Sequence, residues 1–105
     1  MSHTWKPDGY NSVSPYLVTE RPQEVIDFLI ATLDATPLRQ HENEDGSIAH
    51  AEVRIDDTVV MLGGAPPGWS AVPCHVHLYV PDVDATYALA LENGGESVQE
   101  PVAEG

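Results

Sequence analysis

"GSIAHAEVRIDDTVVMLG", residues 46–63, is the stretch from which the fold can be read. Successive side chains on a strand point to opposite faces. As two strands, 48–55 and 58–63, joined at Asp56-Asp57, the stretch sorts cleanly by face. His50, Glu52, Arg54, Val59 and Met61 share one side, and Ala49, Ala51, Val53, Ile55, Val60 and Leu62 share the other. The second set is uniformly apolar and suits packing beneath helices. The first is largely polar, and chemistry would happen there.

Upstream, "RPQEVIDFLIATLDAT" (21–36) reads as a helix. Pro22 suits its first turn, Glu24 and Asp27 complement the N-terminal dipole, and Val25, Phe28, Leu29 and Leu33 mark an apolar face. "SVSPYLV" (12–18) alternates as a strand whose Pro15 favours an edge or a strand start. "PLRQHE" (37–42) is a strand and "NEDGS" (43–47) a turn. Downstream, "GAPPGWSAVP" (64–73) is a Pro/Gly loop and "HVHLYV" (75–80) a strand. "DVDATYALALENGG" (82–95) is a helix, with Asp82 as N-cap and Asn93-Gly94 as its stop. "ESVQEPV" (96–102) begins another strand.

The order repeats. "PYLVTE", a helix and "TPLRQ" correspond to "HLYVPD", a helix and "ESVQE", with Leu17 falling on Leu78 at an offset of 61. The correspondence rests on element order and spacing rather than on identity. The first copy continues through a hairpin to Gly63, so the second would need to reach about position 124 to match it. The second unit is therefore expected to lack its last hairpin. Its final strand would carry an unpaired edge that another copy covers, which makes a homodimer the expected assembly.

With 105 residues the chain forms one domain, large enough to bury roughly two-thirds of its unfolded surface. It divides into a first unit (12–63), a loop (64–73) and an incomplete second unit (74–105). Seventeen carboxylates face four Lys and Arg, for a net charge of −13, and no base follows Arg54. That field repels nucleic acid and anionic membranes and attracts cations. No stretch has the length of a membrane span or of a signal-peptide core, and the lone cysteine, Cys74, suits a reducing compartment. A cytoplasmic protein is expected.

A strand–helix–three-strand unit used twice resembles the glyoxalase / bleomycin-resistance / extradiol-dioxygenase (vicinal oxygen chelate) superfamily, in its small bacterial glyoxalase-like branch. The resemblance is carried by "GYNSVSPYLV", "GSIAHAEVRIDDTVVMLG" and "HVHLYVPDVDATYALALENGG" in this order and spacing, and covers nearly the whole chain from Gly9. It implies an α+β fold in which paired βαβββ units curl a mixed sheet around a cleft with helices outside. Metal enzymes of the family draw ligands from four cleft-facing strand positions. By resemblance three of these fall on Ser14, Met61 and His75, and the fourth lies in the missing hairpin.

Alternation places Ser14, Tyr16, Val18, His75, His77 and Tyr79 on the polar face with His50 and Glu52, and turns Val76, Leu78 and Val80 to the apolar one. Cys74 then faces the helices. His75, the family-matched position, is the candidate metal ligand. His77 and Glu52 could complete a site with it, since a catalytic zinc usually has three protein ligands and an open position. The competing reading makes these histidines hydrogen-bonded cleft lining. Glu52 is the candidate general base, or else a partner of Arg54. Tyr16, His50, Met61, Trp69, His77 and Tyr79 are candidate ligand-binding residues, Trp69 as an aromatic lid or a loop anchor. Trp5 is expected to pack the leader onto the body.

Two functions compete. One is a binding protein that holds a small cationic or aromatic molecule in an acidic cleft, with no cofactor. The other is a metal-dependent lyase, isomerase or dioxygenase, using zinc, nickel, iron or manganese to polarise vicinal oxygens while Glu52 moves a proton.

Overall fold

The computed structural model describes residues 5–72 and 74–102. Its elements run β1 (Tyr16–Thr19), α1 (Pro22–Leu33), β2 (Thr36–Glu42), β3 (Ile48–Ile55), β4 (Thr58–Gly64) and α2 (Val83–Glu92). The four strands make one open mixed sheet in the order β1-β4-β3-β2. β1 lies parallel to β4, and β2–β3 and β3–β4 are antiparallel. This is the α+β unit expected from the first half of the sequence.

α1 begins with Pro22 in its first turn and ends at Asp34, whose φ of 55° turns the chain into β2. Ile26 is buried against Ala51, Val53, Ile55, Val60 and Leu62, and Val25, Leu29 and Leu33 pack around it. The apolar face of the hairpin thus meets the apolar face of α1, as alternation requires. Burying side chains of this size stabilises by roughly 1.5–3 kcal/mol each, so the core of the molecule lies between α1 and β3–β4. The hairpin closes at Asp56-Asp57, with Ile55 opposite Thr58 and Asp56 at a φ of 53°, a conformation Asp tolerates better than most residues.

Ala49 departs from its expected place. His41 opposes His50 and Glu42 opposes Ile48, so Ala49 is the extra residue of a bulge. The bulge turns Ile48 to the core face, where it is 5% exposed, and leaves Ala49 exposed. A second irregularity on β2 falls at Leu38, between the Pro37 and Arg39 pairs.

The second unit forms only in part. α2 is capped as expected, Asp82 accepting from the Ala85 backbone N–H at 3.0 Å, and it contacts α1. Residues 75–80 and 96–102 are not strands. β1, the counterpart of 75–80, is a strand because β4 lies beside it. Among the described residues nothing pairs with 75–80, and only the bridge between Val18 and Val72 ties the preceding loop to the sheet. Val76 and Leu78 are consequently exposed rather than covered by helices, and Cys74 is exposed as well. No helix among the described residues is long and apolar enough to cross a membrane.

Candidate functional site

Two rows of side chains cross the face of the sheet opposite α1. Register places Arg39, Glu52, Met61 and Tyr16 side by side on four successive strands, with His41 and His50 paired in the next row. Sequence alternation identified Tyr16, His50, Glu52 and Met61. Arg39 and His41 were missed, because their face depends on the extra residue at Leu38.

Glu52 is the centre of this face. It is 5% exposed, and both carboxylate oxygens are engaged. Tyr10 Oη donates to Oε1 at 2.5 Å, and His50 Nε2 lies 2.8 Å from Oε2. Burial works against ionisation and is the largest single influence on the group. The hydrogen bonds from His50 and Tyr10, helped by the charges of His50 and Arg39, outweigh it and hold the carboxyl below the usual range. The same bond to Glu52 raises the Tyr10 phenol. Arg54, the sequence candidate for pairing with Glu52, instead donates from Nη2 to the Gly9 carbonyl at 2.9 Å.

The pairing extends outward. Tyr16 Oη sits 3.2 Å from His50 Nδ1, and the two rings lie 5.6 Å apart, tilted by 34°. Nδ1 of His50 thus faces the Tyr16 hydroxyl while its Nε2 faces the Glu52 carboxylate, the donor at each ring nitrogen being set by the tautomer. Tyr10, Glu52, His50 and Tyr16 therefore form one continuous chain from a buried carboxylate to an exposed phenol. Tyr16 is 48% exposed, so the outer end of the chain is open to a ligand.

Residues before β1 cover the inner end. Gly9 accepts from Arg54, Tyr10 donates to Glu52, Asn11 Oδ1 accepts from the Val59 N–H at 2.8 Å, and the Pro15 carbonyl accepts from the Met61 N–H at 2.9 Å. This cover buries Val59, on the polar face, completely. Tyr10 gave no signal in the sequence, since it lies in no periodic segment and meets Glu52 across 42 positions.

The remaining candidates lie apart. Trp69 and Tyr79 are 72% and 94% exposed, and Tyr79 meets His77 edge-on at 5.0 Å between ring centroids. His75 is exposed on the same unpaired segment. Among the described residues no three His, Cys, Asp or Glu side chains gather where they could hold a metal ion. Ser14 Oγ is buried without a hydrogen-bond partner among the described residues. Met61 presents a thioether, and Glu52 is already held by Tyr10 and His50.

Comparison with known proteins agrees with this architecture. Residues 9–105 match the profile of the Glyoxalase/Bleomycin resistance protein/Dioxygenase superfamily. Uncharacterized proteins of Mycobacterium bovis and Mycobacterium tuberculosis are 35% identical over 98 residues, covering 83% of this chain. The match covers 64% of the M. bovis protein and 58% of the M. tuberculosis protein, so the chain spans about three-fifths of the relatives' length. Among solved structures, TioX from Micromonospora sp. ML1 superimposes with a TM-score of 0.64 at 19% identity, over 90% of this chain and 79% of that one. An Arabidopsis thaliana gene product does so with a TM-score of 0.68 at 14% identity, over 88% and 80%. At these identities the likeness is one of fold.

Proposed function

The chain belongs to the glyoxalase/bleomycin resistance protein/dioxygenase superfamily, and on that premise we propose that it binds a small cationic or aromatic molecule on the polar face of its sheet. The observation that carries this reading is the exposed Tyr16–His50 ring pair backed by the buried, ionised Glu52. Aromatic faces attract cations, by about 0.5–2 kcal/mol according to exposure. A carboxylate held in a buried site projects its charge with less screening than one at the surface. Met61 offers a soft, adaptable wall beside the pair. Trp69, His77 and Tyr79 are the exposed rings available to close over a bound molecule.

In the same reading the protein is a cytoplasmic homodimer that works without a cofactor. Val76, Leu78, Leu89 and Leu91 are exposed on the second unit, and apolar surface of this kind is commonly covered in an assembly. A second copy is the cover we infer. Sedimentation across a range of protein concentrations tests it, and a monomer at every concentration would remove the dimer from the proposal.

Titration calorimetry with a panel of aromatic cations and their neutral and anionic counterparts tests the ligand class. Tyr16→Ala and His50→Ala are expected to weaken a bound cation at least fivefold, the size of one lost cation–π contact. Elemental analysis of untagged protein, beside His75→Ala, tests the competing chemistry. A stoichiometric metal that is lost in that variant would replace the binding reading with a metal-dependent lyase, isomerase or dioxygenase acting on vicinal oxygens.

A further inference from the structure

Tyr16, His50 and Glu52 stand in the order of a nucleophile, its base and the group that orients the base. Tyr16 Oη lies 3.2 Å from His50 Nδ1, and His50 Nε2 lies 2.8 Å from Glu52 Oε2. Exposure falls along the same line. Tyr16 is 48% exposed, His50 is half-buried and Glu52 is buried, where Tyr10 fixes its other oxygen. β1 and β3 are not neighbours, so Tyr16 must reach His50 across β4. It does so at Gly63, where an added Cβ would stand 2.9 Å from Tyr16 Oη.

We propose that Tyr16 is a nucleophile, activated by His50, that takes the acyl group of small activated esters. A hydroxyl is a weak nucleophile until a neighbouring base accepts its proton. In the tautomer that carries its proton at Nε2, His50 directs that proton at Glu52 and its Nδ1 lone pair at the phenol. Tyr16 Oη attacks the acyl carbon and its proton passes to Nδ1. The bond from the acyl carbon to the leaving oxygen then breaks, and His50 returns the proton to that oxygen. Water attacks the resulting Tyr16 ester while His50 takes the water's proton. The bond to Oη breaks and the phenol recovers its proton, so the sum is ester plus water giving acid plus alcohol. Glu52 touches no reacting atom and is a positioning residue that holds the imidazole.

The other tyrosines are internal controls. Tyr79 is 94% exposed and meets His77 edge-on, and among the described residues its hydroxyl has no hydrogen-bond partner. Tyr87 donates to Ser97, and Tyr10 donates to Glu52, a bond that keeps the proton on its phenol. Exposure alone would therefore select Tyr79 for acylation, whereas a base within reach selects Tyr16.

The probe is p-nitrophenyl acetate, followed by p-nitrophenol release and by peptide mass spectrometry of acid-quenched protein. The expected result is an initial burst of p-nitrophenol and an acetyl group on Tyr16 ahead of Tyr79 and Tyr87. Tyr16→Phe, which keeps the ring, removes the burst and the adduct. His50→Gln keeps a hydrogen-bonding side chain without the base, and is expected to slow acetylation of Tyr16 about a hundredfold, the lower end for a positioned base. Tyr79 should be unaffected. Because a proton moves in the step, acetylation of Tyr16 should be slower in heavy water, and His50→Gln should lose that isotope effect. Glu52→Gln should slow the step while the NMR contact between the Tyr16 and His50 rings is retained.

No acetylation of Tyr16, faster acetylation of Tyr79, or equal rates in wild type and His50→Gln would overturn the proposal. An acetyl group on His50 with Tyr16 untouched would overturn it too. The acyl step needs no bound cation. Its failure therefore leaves the binding reading standing, and an absence of cation binding leaves the acyl step standing.

Discussion

Tyr10 and Glu52 are 42 positions apart in sequence, and their side chains meet at 2.5 Å, Tyr10 Oη donating to Glu52 Oε1. This contact joins the segment before β1 to the middle of β3, and it supplies one of the two side-chain hydrogen bonds that keep a buried carboxylate ionised. Tyr10→Phe removes the donor while preserving the ring. Glu52 then keeps its burial and loses one of its two hydrogen bonds, so its pKa is expected to rise and the protein to lose stability. Carboxyl-carbon NMR titration of Glu52 and urea midpoints measure the two effects. An unchanged Glu52 titration in Tyr10→Phe would mean that the bond contributes nothing to the charge state.

Acid stability follows from the same group. Glu52 is held below the ordinary carboxylate range when folded, so the folded protein binds its proton less readily than the unfolded chain does. That contribution is fully present above the unfolded carboxylate value and is lost as pH falls through the lower folded value. Wild type is therefore expected to lose more stability than Glu52→Gln between neutral pH and the acid side of the carboxylate range. Urea midpoints measured every half pH unit test this. Parallel curves for the two proteins would assign the acid sensitivity to other carboxylates.

The sequence made α1, the hairpin and the polar face around Glu52 readable because each is local. Val25, Leu29 and Leu33 recur at helical spacing, and β3 and β4 alternate on either side of a two-residue turn. Tyr10 and Arg39 were not readable. The first reaches its partner through tertiary folding, and the second takes its face from an irregularity that no composition rule marks. The strand expected at 75–80 failed for a related reason. Alternation describes what a strand would present, whereas forming one needs a neighbour to satisfy its backbone, and this segment has none among the described residues.

Gly63 provides a sharp steric test of the polar face. A Cβ there would stand 2.4 Å from the Ala49 carbonyl oxygen and 2.9 Å from Tyr16 Oη. The first of these is backbone at the bulge and cannot move without breaking the register of β3. Gly63→Ala is expected to cost about 1–3 kcal/mol, the range for overpacking, and to displace the Tyr16 ring from His50. Gly64→Ala, whose nearest contact is the Ile48 carbonyl oxygen at 3.3 Å, should cost less. Denaturant midpoints of both variants, with the Tyr16 and His50 ring resonances, decide it. Equal costs would show that the bulge yields to the added methyl.

Leu62 and Leu78 separate the two halves of the chain energetically. Leu62 is fully buried in β4 against the α1 face, while Leu78, the counterpart of Leu17 by sequence offset, is 38% exposed on the unpaired segment. Leu62→Ala is expected to cost about 2–5 kcal/mol, the range for emptying a well-packed leucine site. Leu78→Ala should cost less in the single chain, because 38% of Leu78 stays in water and it lies outside the buried core cluster. The contrast also bears on assembly. If a second copy covers the 75–80 segment, the cost of Leu78→Ala should grow with protein concentration, as binding linked to folding requires. Melting curves at low and high micromolar concentration test this. A small cost at both would leave the segment uncovered by any second copy, whereas a large cost at both would mean that Leu78 is buried within the chain itself.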